Sequence, residues 1–285
     1  MPRLLLVALL VHAVVLVAQD SAGTVEVRAR AFRQGEVVVA EWPAGQQGTL
    51  ARAFGREATP FPAGDRRWRA LLGVDLDQAP GDYDVEIVDA GGAVVATRRV
   101  TIEAGRFSTR TLKVNPDFVN PPKAVIPRIQ REAKLMQDAF ASPAADRLWD
   151  GPLTRPVPHR ANSRFGQRSV FNGEPRNAHT GTDFLSPAGT PIRAPQAGRI
   201  AIARDLYFSG GTVVIDHGQG LFSLLAHMSR VDASEGATVA AGDVVGLVGA
   251  TGRVTGAHLH WAMRLHGARV DPLSLMAALD ETPTP

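Results

Sequence analysis

The sequence predicts a mainly β protein in which two β domains are joined by a linker that carries one helix. Three observations support this. Short runs of alternating apolar and polar residues, separated by Gly, Pro and Asp turns, fill residues 24–114. A proline-bracketed stretch with a helical apolar period follows. Beyond about residue 155 a second set of short β-like runs begins, and no helical period returns until Pro272–Leu279. With 285 residues and 45% hydrophobic content, the chain can bury two cores and is not of the disordered class.

The first 18 residues read as a secretory signal, with Arg3 as a positive start, an apolar run from Leu4 to Ala18, and Ala18 as a small residue for cleavage. The run is short for a membrane span, which needs about 20 apolar residues. The protein is therefore expected to be exported to the periplasm, cell envelope or exterior, with no stable membrane span after cleavage. There is no cysteine, so neither a disulfide framework nor lipid attachment through cysteine is available outside the cytoplasm. The net charge of +3, from 31 basic and 28 acidic residues, is too small to argue for a nucleic-acid partner.

Residues 24–114 contain the strand-like runs TVEVRARAF, GEVVVAEW, TLARAFG, WRALLGVDL, GDYDVEIVD, AVVATRRVTI and FSTRTLKV. That is the pattern of a small β-sandwich, and APGDYDVEIVDAGG resembles a hairpin of bacterial immunoglobulin-like modules. The segment has no histidine and shows no chemistry. It is expected to fold by itself, with a linker over 115–150 and a second domain over 151–280. In the linker, a helix is predicted over about 127–141, with Ile129, Ala133, Met136 and Phe140 as its apolar stripe, packed between the domains. Prolines recur from Ser142 to Pro158, so that stretch is expected to wrap the second domain without regular structure.

The residues with chemistry lie in three clusters of the second domain. They are His179 and Asp183 in HTGTD, His227 in LLAHMS, and His258 with His260 in GAHLHW. AHLHWAM alternates between glycines and reads as a strand, which places His258 and His260 on one face about 7 Å apart. In a flat strand His179 and Asp183 would be about 13 Å apart, too far for a common metal with ligand bonds of about 2 Å. HTGTD is therefore expected to bend, with Gly181 as the permissive residue, while Thr180, Gly181 and Thr182 together disfavour a helix. The implied site is His, Asp and His around Zn²⁺, with the two remaining histidines in reserve. Three protein ligands and an open position is the catalytic pattern of zinc, whereas a structural zinc is closed by four.

These clusters stand in a longer series: SRFGQR, HTGTDF, GTPIRAPQAGRI, VVIDHGQG, HMS and GLVGATGRVTGAHLHWAM followed by VDP. In this order, over roughly residues 155–275, they resemble the M23 family of zinc metallopeptidases, the lysostaphin and LytM type. The resemblance implies an antiparallel sheet crossed by a substrate groove, and one Zn²⁺ held by His179, Asp183 and His260. It further implies catalytic roles for the non-ligand histidines His227 and His258. The family often has Tyr two residues before the third-motif histidine, where this chain has Leu225. The function implied is that of a secreted zinc-dependent endopeptidase hydrolysing peptide cross-links of bacterial peptidoglycan.

Two rivals are weighed against it. VAAGDVVGLVGATG also resembles biotinyl and lipoyl carrier hairpins, but these need a modifiable lysine and none occurs after Lys134. Some members of the M23 fold have lost metal ligands and act as non-catalytic wall-binding regulators that activate an amidase, whereas here all five positions are intact. The other histidines are expected to be structural: His217 at a strand end, with His159 and His266 exposed near turns. Arg164 and Asn172 could line the groove entrance, though Asn172-Gly173 is more economically a turn.

Overall fold

The computed structural model describes residues 25–45, 50–64 and 66–280, so the proposed signal lies outside the described residues. The N-terminal strands are β1 (Glu26–Ala29), β2 (Val37–Pro43), β3 (Leu50–Ala53), β4 (Arg56–Ala58), β5 (Phe61–Ala63), β6 (Arg67–Gly73), β7 (Gly81–Val88) and β8 (Val94–Ile102). They form two four-stranded sheets, ordered β1-β2-β6-β5 and β4-β3-β7-β8. That is the strand order of immunoglobulin-type sandwiches with one strand added to the second sheet. Trp42, Leu72, Ile87 and Ile102 are fully buried between the sheets.

The strand-like FSTRTLKV leaves this sandwich. Its strand β9 (Thr109–Leu112) pairs in parallel with a strand of the second half. Helix α1 (Ile126–Ala141) follows. The second half then contributes β10 (Ala161–Ser163), β11 (Arg168–Phe171), β12 (Glu174–Arg176), β13 (Gly181–Phe184), β14 (Pro191–Arg193) and β15 (Gly198–Leu206). It continues with β16 (Gly210–Gly218), β17 (Leu221–Val231), β18 (Thr238–Val239), β19 (Val244–Val248), β20 (Leu259–Leu265), β21 (Ala268–Val270) and helix α2 (Pro272–Leu279). The spine is an antiparallel sheet ordered β10-β13-β20-β17-β16-β15-β18, while β9, β11 and β12 form a separate small sheet.

The two faces of the large sheet differ. Pairing of Phe222 with Arg264, Leu224 with Ala262 and Ala226 with His260 puts these six residues on one face. On the other face Leu221, Leu225, Trp261, Met263 and Leu265 enter the main core. Val37, Val39, Phe61 and Leu71 of the first sandwich sheet enter that same core. This explains the unbroken VVVA run of β2, which is buried on both sides instead of alternating. Polar contacts close the seam: Val37 N–H donates to Ser274 Oγ at 2.8 Å, and the Asp75 carboxylate pairs with the Arg269 guanidinium, which holds its pKa down to about 2 against the cost of burial.

Helix α1 does not pack between the domains. It lies on the opposite face of the large sheet, where Leu135, Met136, Ala139 and Phe140 cover Ile202, Val214 and Phe222. The buried stripe is rotated from the predicted one, with Ala133 exposed and Leu135 drawn in. The apolar patch of the sheet, more than the helix's own period, decides which turn of the stripe is covered. Among the described residues no helix is long and apolar enough to cross a membrane.

Candidate metal centre

β20 alternates buried and half-buried residues from Leu259 to Leu265, with His260 on the groove face. β13 pairs with it in register, Asp183 opposite His260 and Gly181 opposite Ala262. Directly opposed residues of an antiparallel pair share a face, so Asp183 and His260 meet side by side. His179 lies just before β13, where the chain is no longer extended along the sheet. Gly181 does not serve as a left-handed bend, since it is absent from the positive-φ positions. Its role is room: a Cβ there would stand 2.5 Å from the Trp261 carbonyl oxygen and 2.7 Å from the His260 ring.

Three donor atoms converge. His179 Nε2, Asp183 Oδ1 and His260 Nδ1 are each 2.9 Å from the other two. Tautomers follow from the outer contacts. His179 Nδ1 lies 3.2 Å from the Arg164 carbonyl oxygen, so it donates there and leaves Nε2 as a lone pair aimed at the cluster. Arg164 thus acts through its backbone. Burial would raise the Asp183 pKa, but the His179 and His260 rings beside it outweigh burial and hold the carboxylate well below its usual range. Burial lowers the pKa of His260, keeping it a neutral imidazole. Two imidazoles and an ionised carboxylate are a donor set suited to Zn²⁺. The residues fit the metal.

Two more rings complete the site. His258 Nδ1 donates to the Gly256 carbonyl at 2.9 Å, and its Nε2 is 3.8 Å from Asp183 Oδ1. His227 Nδ1 donates to the Thr251 carbonyl at 2.9 Å, and its ring centroid is 4.8 Å from that of His258 and 5.9 Å from that of His260. Strict alternation after Ala226, which faces the groove opposite His260, would send His227 into the core. Instead β17 bulges here: Val213 pairs with Leu225 but Gly211 with Met228. His227 adopts φ 69°, and the bulge turns its ring to the groove side. Burial lowers its pKa to about 3, so it is neutral near pH 7. Leu225 lies in the core beside Trp261, so a side chain at this position points away from the site.

The surroundings include elements that motif spacing does not reveal. Arg110 of β9 reaches to 3.9 Å from Asp183 Oδ2 and donates from Nε to Ser169 Oγ. Beyond His260 on the same face, α1 and β20 enclose a cavity of about 410 Å³ lined by Met136, Phe140, Thr180, Leu224, Ala262 and Arg264 among others. Asn172 has φ 51° in an Asn-Gly turn between β11 and β12, and its side chain clasps both backbone groups of Val114. His217 is fully buried, donating to the Ala197 carbonyl and contacting Ser223 Oγ. His159 and His266 are half-buried, not exposed: His159 bonds Ser186, and His266 is set in a left-handed turn against Gly220.

A two-imidazole, one-carboxylate cluster with two adjacent imidazoles on one face of the sheet defines a candidate metallohydrolase centre. The model of Peptidase family M23 matches residues 177–272. A Pseudomonas aeruginosa protein of known crystal structure, assigned to peptidase M23, is 31% identical with a TM-score of 0.68, over 88% of this chain and 96% of that one. The chain belongs to peptidase family M23. It is also 40% identical over 116 residues, 41% of its length, to the DD-carboxypeptidase/endopeptidase Mpg of Neisseria meningitidis. It is 34% identical over 139 residues, 48% of its length, to the peptidoglycan DD-endopeptidase ShyA of Vibrio cholerae. The matches span 27% and 30% of those two proteins.

Proposed function

We propose that this chain is an exported, zinc-dependent endopeptidase that hydrolyses peptide cross-links of bacterial peptidoglycan. His179, Asp183 and His260 would hold one Zn²⁺, and His227 and His258 would be the catalytic residues. We assign residues 24–106 to the sandwich, 107–150 to the linker with β9 and α1, and 151–280 to the peptidase domain. The observation that carries the reading is the 2.9 Å triangle of donor atoms with two further histidine rings beside it.

Bound zinc supplies Lewis acidity toward a carbonyl oxygen and toward water. The remaining chemistry belongs to the side chains. His227 and His258 each spend Nδ1–H on a backbone carbonyl, which fixes the ring and leaves Nε2 to act in the groove. One can take a proton from the attacking water and return it to the leaving amine, while the other, when protonated, donates to the oxyanion.

The test joins metal content to product analysis. Zinc-loaded protein should hold about one equivalent and release new amino termini from purified peptidoglycan, and Asp183→Ala should lose the metal. Zinc retained in that variant would overturn the ligand assignment. Loaded protein that releases no new amine from walls of several cross-link types would instead favour the amidase-activating regulator.

A further inference from the structure

Arg253, a cation beside the histidine cluster, makes no ion pair among the described residues. Some exposed arginines pair with carboxylates, as Arg204 does with Glu235 and Arg230 with Asp232. Arg253 is partly buried, and among the described residues no carboxylate lies within ion-pair distance of it. Its guanidinium is held over two rings, 4.8 Å from the Phe208 centroid and 5.3 Å from that of Phe171. Burial and the neighbouring Arg176 cation both lower its pKa.

Its place is fixed from two sides of the site. Its backbone N–H donates to the Phe208 carbonyl at 2.8 Å, while the His227 N–H donates to the adjoining Ser209 carbonyl. Two residues earlier, Thr251 supplies the carbonyl that orients His227. On the other side, Phe171 shares a strand face with Ser169, about 7 Å away. Ser169 Oγ accepts from Arg110, which reaches toward Asp183. Arg253 thus borders the groove at its His227 end. Two aromatic rings hold the guanidinium between them, and its planar fork is the geometry that accepts a carboxylate through two parallel N–H···O bonds.

We propose that Arg253 is a specificity-determining residue that binds a free carboxylate of the substrate peptide at the His227 end of the groove. The proposal rests on the peptidase reading for its substrate but not for its test. Two short cross-link peptides, identical except that one carries a free carboxylate and the other its carboxamide, are titrated calorimetrically into metal-free protein. Their hydrolysis by zinc-loaded protein is then compared. Wild type should bind the carboxylate form about 10- to 100-fold more tightly, the usual worth of a charged hydrogen-bonded pair. Arg253→Gln should abolish that preference with zinc content unchanged, and Arg253→Lys should restore part of it, each variant being checked by its thermal transition. Equal binding of the two peptides by wild type, or a preference that survives Arg253→Gln, overturns the proposal. Preference without hydrolysis would leave Arg253 as the carboxylate contact and remove the peptidase reading. Hydrolysis without preference would do the reverse.

Discussion

His217 offers a prediction whose size can be worked from its surroundings. Its ring has no exposure and sits among β16, β17 and the Ala197 carbonyl. With Nδ1–H committed to that carbonyl, Nε2 accepts from Ser223 at 2.9 Å. On protonation Ser223 can turn its hydrogen toward Met263 Sδ, 3.1 Å away, so the hydrogen bonds survive and the cost is the buried charge. Burial lowers the pKa from 6.5 to about 4, against smaller opposing effects of Ala197 and Asp216. The folded pKa lies below the unfolded one, so between these values the unfolded chain binds more protons and stability falls as pH falls. Across the window from pH 6.5 to about 4 the loss is about 3 kcal/mol. Urea unfolding of metal-free wild type and His217→Gln through this range should give stability curves whose difference changes by about 3 kcal/mol across the window. The absolute stability of the variant is immaterial to the comparison. Parallel curves would show that His217 is not held neutral by burial.

Replacing His227 or His258 by Ala should leave zinc bound while kcat falls by about 10² or more, read from metal analysis and steady-state hydrolysis. Ser274→Ala strands the buried Val37 N–H and should cost about 1–3 kcal/mol of unfolding free energy by denaturant titration. Residues 25–104 expressed alone should unfold cooperatively, because Trp42, Leu72, Ile87 and Ile102 pack wholly between the two sandwich sheets. They should also bind a hydrophobic dye, because Val37, Val39, Phe61 and Leu71 lose their cover. A fragment that unfolds cooperatively but binds no dye would mean that the outer face of β2 repacks.

What could be read from the sequence is what depends on local pattern. The alternation of AHLHWAM placed His258 and His260 in one strand and on one face, and β20 follows it. Distance alone required HTGTD to leave the flat strand, and His179 does precede β13. The position of His227 is different. Alternation sends it to the core, and only the bulge against Gly211 and Val213, with φ 69°, turns it back. No spacing rule carries that information. FSTRTLKV reads as one more sandwich strand because its alternation fits any half-buried edge, and only docking decides that β9 joins β11 and brings Arg110 to the site. Helix α1 likewise showed its period but not its partner, since the patch of Ile202, Val214 and Phe222 is assembled from three strands.

The placement of the sandwich bears on the site itself. Asp271 opens α2, accepting from Leu273 N at 3.0 Å, and its Oδ1 also accepts from Thr182 Oγ1 at 3.3 Å. Thr182 precedes Asp183 in β13 and points to the opposite face, toward the core side of the sheet. From the sandwich, Arg30 reaches Asp271 Oδ2 at 2.6 Å and also pairs with Glu36, and the Asp271 N–H donates to the Gly35 carbonyl at 2.7 Å. The strand that presents Asp183 to the groove is therefore braced from behind by a residue tied to the first domain. Metal ligands need positions fixed to a fraction of an ångström, and a four-residue strand near the sheet edge cannot supply that stiffness alone. A domain without histidines or a groove of its own can thus act on the chemistry, by holding the back of the strand whose front carries the carboxylate.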